Sequence, residues 1–290
     1  MKKVVVCLLL VSLSLGFAVP SLAKEGEEMN QPFKGIETYQ IFYGAPTPEV
    51  INEMKAYDLV ILEPYHYRKE QIQRIQSAGT MVLGYITTME IAEWNQALMK
   101  ELKEEDFYKR NGKKVFYPEW KSYLMDFTSK HYQAIVHKEI NQHIIGKQFD
   151  GLFLDTVGDI DNEFWDKPDI LKKQRAAMVS FLKKIKEQYK NLPIVQNWGF
   201  DTLAEATAPY VDGIMWESFD HSIVSQDEWA QNKIQQLQKI KDKQGVQVFT
   251  VAFKEWERSS GLAHRYGFIH TYEQDSYDQW TSGASFLTKR

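Results

Sequence analysis

Three short stretches of this chain end in a carboxylate after the same kind of run. They are Asp150-Gly151-Leu152-Phe153-Leu154-Asp155, Asp212-Gly213-Ile214-Met215-Trp216-Glu217 and, more loosely, Asp58-Leu59-Val60-Ile61-Leu62-Glu63. In each, four uncharged and mostly apolar residues separate two acids. Such a run reads as a strand buried on both faces, as in a parallel sheet covered by helices. A carboxylate where that strand surfaces is costly to bury unpaired. Two carboxyl groups facing one another suit glycoside hydrolysis. One stays protonated to assist the leaving oxygen, and the other attacks the anomeric carbon or activates water. Burial and mutual repulsion drive their pKa values apart, which divides the roles.

A single acid at a strand end reads equally well as a turn or cap residue; three in matching register are harder to dismiss. The leading acids Asp58, Asp150 and Asp212 read as turn formers on the opposite, stability end of the strands. Other strand ends are polar as well, with Glu90 beyond the third strand, Asn197 on the fifth and Lys254 on the seventh. Asp159, Asp161, Glu163 and Asp166 read as a solvated loop, with substrate contact as the alternative. No His-x-His closes a strand and no His-Glu-x-x-His lies on a helix, so no metal is expected. His131, His137 and His143 fall on a helix that reads as largely exposed. A serine hydrolase would need a Gly-x-Ser-x-Gly elbow, which the chain lacks.

The elements that must position these acids alternate between strand and helix. Strands are expected at 38–43, 58–63, 81–87, 151–156, 193–197, 213–217, 246–253 and 268–272. Pro48 opens a short helix through Met54. A helix over 68–78 stops at Gly79. Ser129 caps one whose apolar face is Tyr132, Val136, Ile140 and Ile144. Longer helices follow at 168–189 and at 228–243, the latter turning Ala230, Ile234, Leu237 and Ile240 inward. Between the third and fourth strands lies a long insertion, about 90–129, with Asn111-Gly112 placed for a two-residue hairpin turn. Eight such alternations predict an α/β chain folded as a single (β/α)8 TIM barrel over 31–290. A doubly wound sheet would want a Gly-rich phosphate loop after the first strand, and none is present. In the barrel, strands two, four and six would send Glu63, Asp155 and Glu217 to one mouth.

The N-terminus stands apart. Lys2-Lys3, an apolar run over 4–19 and Ser21-Leu22-Ala23 predict a signal peptide, residues 1–23, and a secreted or periplasmic protein with no stable membrane span after cleavage. Cys7, the single cysteine, would leave with it. The formal net charge of −4 becomes more negative without Lys2 and Lys3, and nothing resembles a basic stripe, so nucleic acid is not expected as a partner. Aromatic content of 13%, with many Tyr and Trp near strand ends, fits core filling and stacking on sugars alike.

At these residues the chain resembles glycoside hydrolase family 114, the endo-α-1,4-polygalactosaminidase-like barrels. The resemblance lies in 57–64, in 82–86 with Glu90, and in Leu124-Met125-Asp126-Phe127. It continues through 149–157, Val195-Gln196-Asn197 and 210–218. It implies a (β/α)8 fold, a polysaccharide or oligosaccharide partner rich in α-1,4-linked galactosamine, and hydrolysis without a cofactor. It also implies Asp155 as nucleophile and Glu217 as general acid/base in a retaining mechanism. Tyr43, Glu63, Tyr85, Glu90, Asp126, Asn197 and Ser218 would line the substrate cleft. Two departures are visible: Gly158 stands where many members carry an acid, with Asp159 one position later, and the turn after strand three reads Met89-Glu90. A glycan-binding barrel that keeps the cleft without the chemistry is the competing expectation.

Overall fold

The computed structural model of the protein describes residues 31–274 and 276–280. The expected signal peptide lies outside them. Eight parallel strands follow one another around a nearly closed (β/α)8 barrel: β1 Tyr39–Phe42, β2 Leu59–Leu62, β3 Met81–Thr87, β4 Gly151–Asp155, β5 Ile194–Asn197, β6 Gly213–Trp216, β7 Gln247–Ala252 and β8 Ile269–Tyr272. Each strand pairs in parallel with its sequence neighbours, for example Thr87 with Asp155 and Asn197 with Met215. The seam between β1 and β8 is drawn together by side chains: Thr271 donates to Gln40 Oε1 (2.9 Å), and Gln40 Nε2 donates to Glu273 (3.3 Å).

Strand alternation sorts the apolar residues into two cores. One set, including Tyr39, Ile41, Leu59, Ile61, Leu83, Phe153, Val195, Met215, Phe249 and Val251, fills the barrel interior. Their strand neighbours, such as Val60, Leu62, Leu152, Leu154 and Ile214, pack outward beneath the helices. Counting by twos up the inward set leads to Tyr43, Glu63, Tyr85, Asp155, Asn197 and Glu217 at the C-terminal mouth.

The acids that open β2, β4 and β6 act at the other end. Asp58 accepts the Thr38 N–H (2.8 Å), Asp150 the Val82 N–H (2.7 Å) and Asp212 the Ile194 N–H (2.9 Å). Each thus staples the start of its own strand to that of the strand before, a structural role that their Asp-Gly or Asp-Leu settings foreshadow. In the insertion, Lys109–Arg110 pairs with Lys113–Lys114 around Asn111 and Gly112, both at positive φ (53° and 77°), as the short hairpin turn requires. Glu90–Ala92, Ser122–Leu124 and Phe116–Tyr117 form a small antiparallel sheet that brings Ser122 to Glu90. The helix capped by Ser129 runs from Lys130 to Glu139 and continues as a π-helical segment, Ile140–Ile145.

Two expectations need correction. The histidines of this helix are partly buried, because it packs against the insertion and the loop after β2. His131 Nδ1 lies 2.7 Å from Asp106, and the His143 ring sits 4.4 Å from that of Tyr65. Residues 159–164 are a short helix and not a solvated loop, and Ile160 and Phe164 anchor it in the core.

Candidate active site

Asp155 ends β4, Asn197 ends β5 and Glu217 follows β6, so three neighbouring strands deliver them to one opening. The Asn197 side chain joins the two acids. Its Nδ2 donates to Asp155 Oδ1 at 2.8 Å and to Glu217 Oε2 at 2.9 Å. Sharing one amide nitrogen at these distances keeps the two oxygens less than about 6 Å apart. Asp155 also accepts the Tyr85 hydroxyl (2.7 Å) and the Thr156 N–H (2.7 Å), and Glu217 accepts the Tyr277 hydroxyl (2.6 Å). These donors are all uncharged, and among the described residues no cation forms an ion pair with either acid.

Burial, and then the charge of Asp155, raise the Glu217 pKa above the ordinary glutamate range; the bonds from Asn197 and Tyr277 pull it down. Asp155 takes three donors, the setting of an acceptor-only carboxylate. Tyr85 and Tyr277 are half-buried side chains that hydrogen-bond these acids, and desolvation first holds both phenols protonated, well above their usual range.

The backbone carries a second mark of the site. Thr156, Trp198 and Ser218, the residues directly after Asp155, Asn197 and Glu217, all adopt left-handed φ (62°, 55° and 59°). For a β-branched or bulky residue this conformation is a true outlier costing on the order of 1 kcal/mol or more, and such strain gathers at functional sites. At Thr156 the surroundings compensate: its Oγ1 accepts the Met89 N–H (2.8 Å) and donates to the Asp155 carbonyl (2.7 Å).

The remaining expected residues fall into separate places. The Tyr43 ring lies 4.7 Å from that of Tyr85 and 5.2 Å from that of Tyr277, within the fields of Asp155, Glu217 and Glu63. Glu63 is buried, but its Oε1 accepts the Tyr65 N–H (3.2 Å), which turns it to the loop after β2 instead of the pair. Burial pushes its pKa up to about 7. Glu90 is held by Ser122 and faces Asp159, whose buried Oδ2 finds no ordinary donor. Two carboxyl groups in such contact share a proton. Burial raises both groups, Asp159 well above the usual range with the charge of Glu90 as its next cause. Asp126 is not brought to the pair. Its Oδ1 is taken by Thr128 N (3.0 Å), Thr128 Oγ1 (2.6 Å) and Gln174 Nε2 (2.9 Å), which makes it an anchor of the loop before the Ser129 helix. Ser218 is exposed at the rim.

Sequence reasoning missed two members. Tyr277 follows the last strand in a stretch without periodicity, and no pattern could have aimed it at Glu217. Asp159 was legible as an acid but not as a buried one; the apolar spacing of Ile160 and Phe164 was the available signal of a helix there.

A parallel barrel whose C-terminal mouth holds two bridged carboxyl groups defines a class, the barrel glycosidases. The model of glycoside-hydrolase family GH114 matches residues 20–281, and the chain belongs to that family. Its fold is similar to the glycoside hydrolase domain of PelA from Pseudomonas aeruginosa. That domain superposes with a TM-score of 0.63 at 19% identity, covering 84% of this chain and 97% of the other. A variant of the same domain gives 0.66 at 20% identity with the same coverage. The Aspergillus fumigatus Ega3 complex with galactosamine gives 0.60 at 15% identity, covering 82% and 91%. No curated protein matches the sequence.

Proposed function

We propose that this glycoside hydrolase cleaves an amino-sugar polysaccharide rich in α-1,4-linked galactosamine, with retention at the anomeric carbon. The observation that carries the reading is the Asn197 amide bridging the two acids. Its distances keep the bridged oxygens less than about 6 Å apart, which supports retention, since inversion uses carboxyl groups about 6.5–9.5 Å apart with a water between. Asp155 attacks the anomeric carbon while Glu217, its pKa raised, gives its proton to the departing glycosidic oxygen. Glu217 then takes a proton from water, which attacks the same carbon and releases Asp155. Tyr85 and Tyr277 hold the two carboxyl groups in place.

The substrate class follows from charge. The pair has only neutral donors, and Glu90 with Asp159 adds further acid beside Asp155. A protonated 2-amino sugar gains in such a mouth, whereas an acidic glycan is repelled. The galactosamine bound by Ega3 supports the same reading. The basic, apolar and small-residue order of the first 23 residues supports export, so we place the enzyme outside the cytoplasm.

Release of reducing ends from deacetylated galactosamine-rich polysaccharide, with chitosan as control, tests the reading. Wild type should cleave the former, and Asp155→Asn and Glu217→Gln should each lose at least about a thousandfold while melting as wild type does. Full activity in either variant removes that residue from the mechanism. Binding without cleavage by the wild type would make the barrel a glycan-binding module.

A further inference from the structure

A second feature of the rim lies beside the pair. Trp165 follows the short helix after β4, Trp198 follows Asn197 on β5, and Trp229 heads the helix Glu228–Gln244 after β6. They come from the same three strand–loop units, in the same order, as Asp155, Asn197 and Glu217. Together with Asn162 they line a groove of about 340 Å³, within the range of ligand sites. Trp165 is 76% exposed and Trp229 47%. Trp94 and Trp120 are as exposed, but these rings gather around one groove, and it is a gathered apolar patch that marks a binding surface. The planes of Trp198 and Trp229 lie 20° apart, and Phe200 and the buried Trp216, which precedes Glu217, pack against both.

The groove is built to hold Trp198 where it is. Gly158 has an ordinary backbone angle, φ −55°, so no turn requires glycine there. A Cβ at that position would come within 2.7 Å of Trp198 Cβ. The need is for space alone. The groove also differs from the mouth in charge. Asp161 is satisfied by Arg175 (2.9 Å), the Thr202 hydroxyl (2.6 Å) and two backbone N–H groups, and Asp201 is paired with Lys233. Its two acids are therefore paired with cations, and Lys233 already lies 5.8 Å over the Trp229 ring, so the groove offers an incoming ammonium group no unpaired acid.

We propose that this groove is a glycan subsite, separate from the bond-cleaving pair, which stacks an uncharged pyranose unit of the same polysaccharide chain on Trp165, Trp198 and Trp229. In an amino-sugar polymer that unit is an N-acetylated residue, with the exposed Asn162 amide beside it. The inference rests on the reading of the chain as a polysaccharide hydrolase. The enzyme then selects an acetylated unit at the groove and a charged one at the mouth.

Calorimetric titration of the Glu217→Gln protein with α-1,4-galactosamine oligosaccharides, from disaccharide to octasaccharide, partly acetylated or fully deacetylated, tests it. Trp165→Ala and Trp229→Ala should each weaken the acetylated octasaccharide about tenfold, and the disaccharide by less than about twofold. Gly158→Val, which displaces Trp198, should act in the same way. Unchanged octasaccharide affinity in the double tryptophan variant overturns the subsite. Equal losses with the fully deacetylated series overturn its preference for an uncharged unit. If the Glu217→Gln protein binds none of these oligosaccharides, the substrate reading itself falls, and the subsite with it.

Discussion

Replacing Asn197 with alanine removes a group that, among the described residues, bridges both acids. Its two bonds, at 2.8 and 2.9 Å, run to the Asp155 carboxylate, where such a bond contributes about 1.5–3 kcal/mol, and to the protonated Glu217 carboxyl, where a neutral one contributes about 0.5–1.5 kcal/mol. Losing both therefore costs up to about 2–4.5 kcal/mol, or roughly thirty- to two-thousandfold in kcat/KM. The fall should appear in kcat, with KM nearly unchanged, because the amide aligns the reacting groups and does not serve as a substrate anchor. The pH profile gives an independent reading. The bond from Asn197 lowers the Glu217 pKa, so its removal raises that pKa further. Glu217 must be protonated for the first step, and the alkaline limb of kcat/KM should move to higher pH. Asn197→Asp keeps the shape but replaces a double donor with a third acid, and should be more damaging than alanine. Reducing-end kinetics across pH, with thermal melts to confirm folding, make the comparison. An alanine variant within about threefold of wild type, with its alkaline limb unmoved, would refute the bridging role.

Tyr277→Phe removes a second bond that lowers the Glu217 pKa, so kcat should fall about tenfold and the alkaline limb should again rise. Glu63 is protonated more readily in the folded chain than in the unfolded one, so its burial costs nothing below about pH 4.5 and destabilises as pH rises through about 7. Glu63→Gln should therefore gain up to about 3 kcal/mol above about pH 7 and nothing at about pH 4, read from denaturant midpoints at both. Asp150→Ala, at the far end of the barrel, should lose about 1–3 kcal/mol of stability by orphaning the Val82 N–H while kcat stays at the wild-type value. A collapse of kcat in that variant with an intact fold would contradict the division of the acids between the two ends.

The strands and most helices could be read from local pattern because each depends on spacing within one segment. The apolar runs before Asp155 and Glu217 place these acids at strand ends. Asn111-Gly112 demands its turn, and the face of Ala230, Ile234, Leu237 and Ile240 is a helical stripe that is buried as expected. The inward register also followed, since residues two apart along a strand share a face. Where each side chain is aimed did not follow. Glu63 has the same position on its strand as Asp155 and Glu217, yet the turn after β2 offers the Tyr65 N–H and draws it away. Asp126 resembled a cleft residue, and a neighbouring threonine and a helix glutamine consumed its oxygen. Tyr277 reaches Glu217 across 60 residues of chain, and a helix of only 6 residues turns one Asp159 oxygen inward. The sequence by itself determined which segments become strands and which acids reach the C-terminal mouth, because both follow from periodicity along the chain. Only the tertiary structure decided which acids form a pair, because hydrogen-bond partners come from segments far apart in sequence and are chosen when the barrel closes.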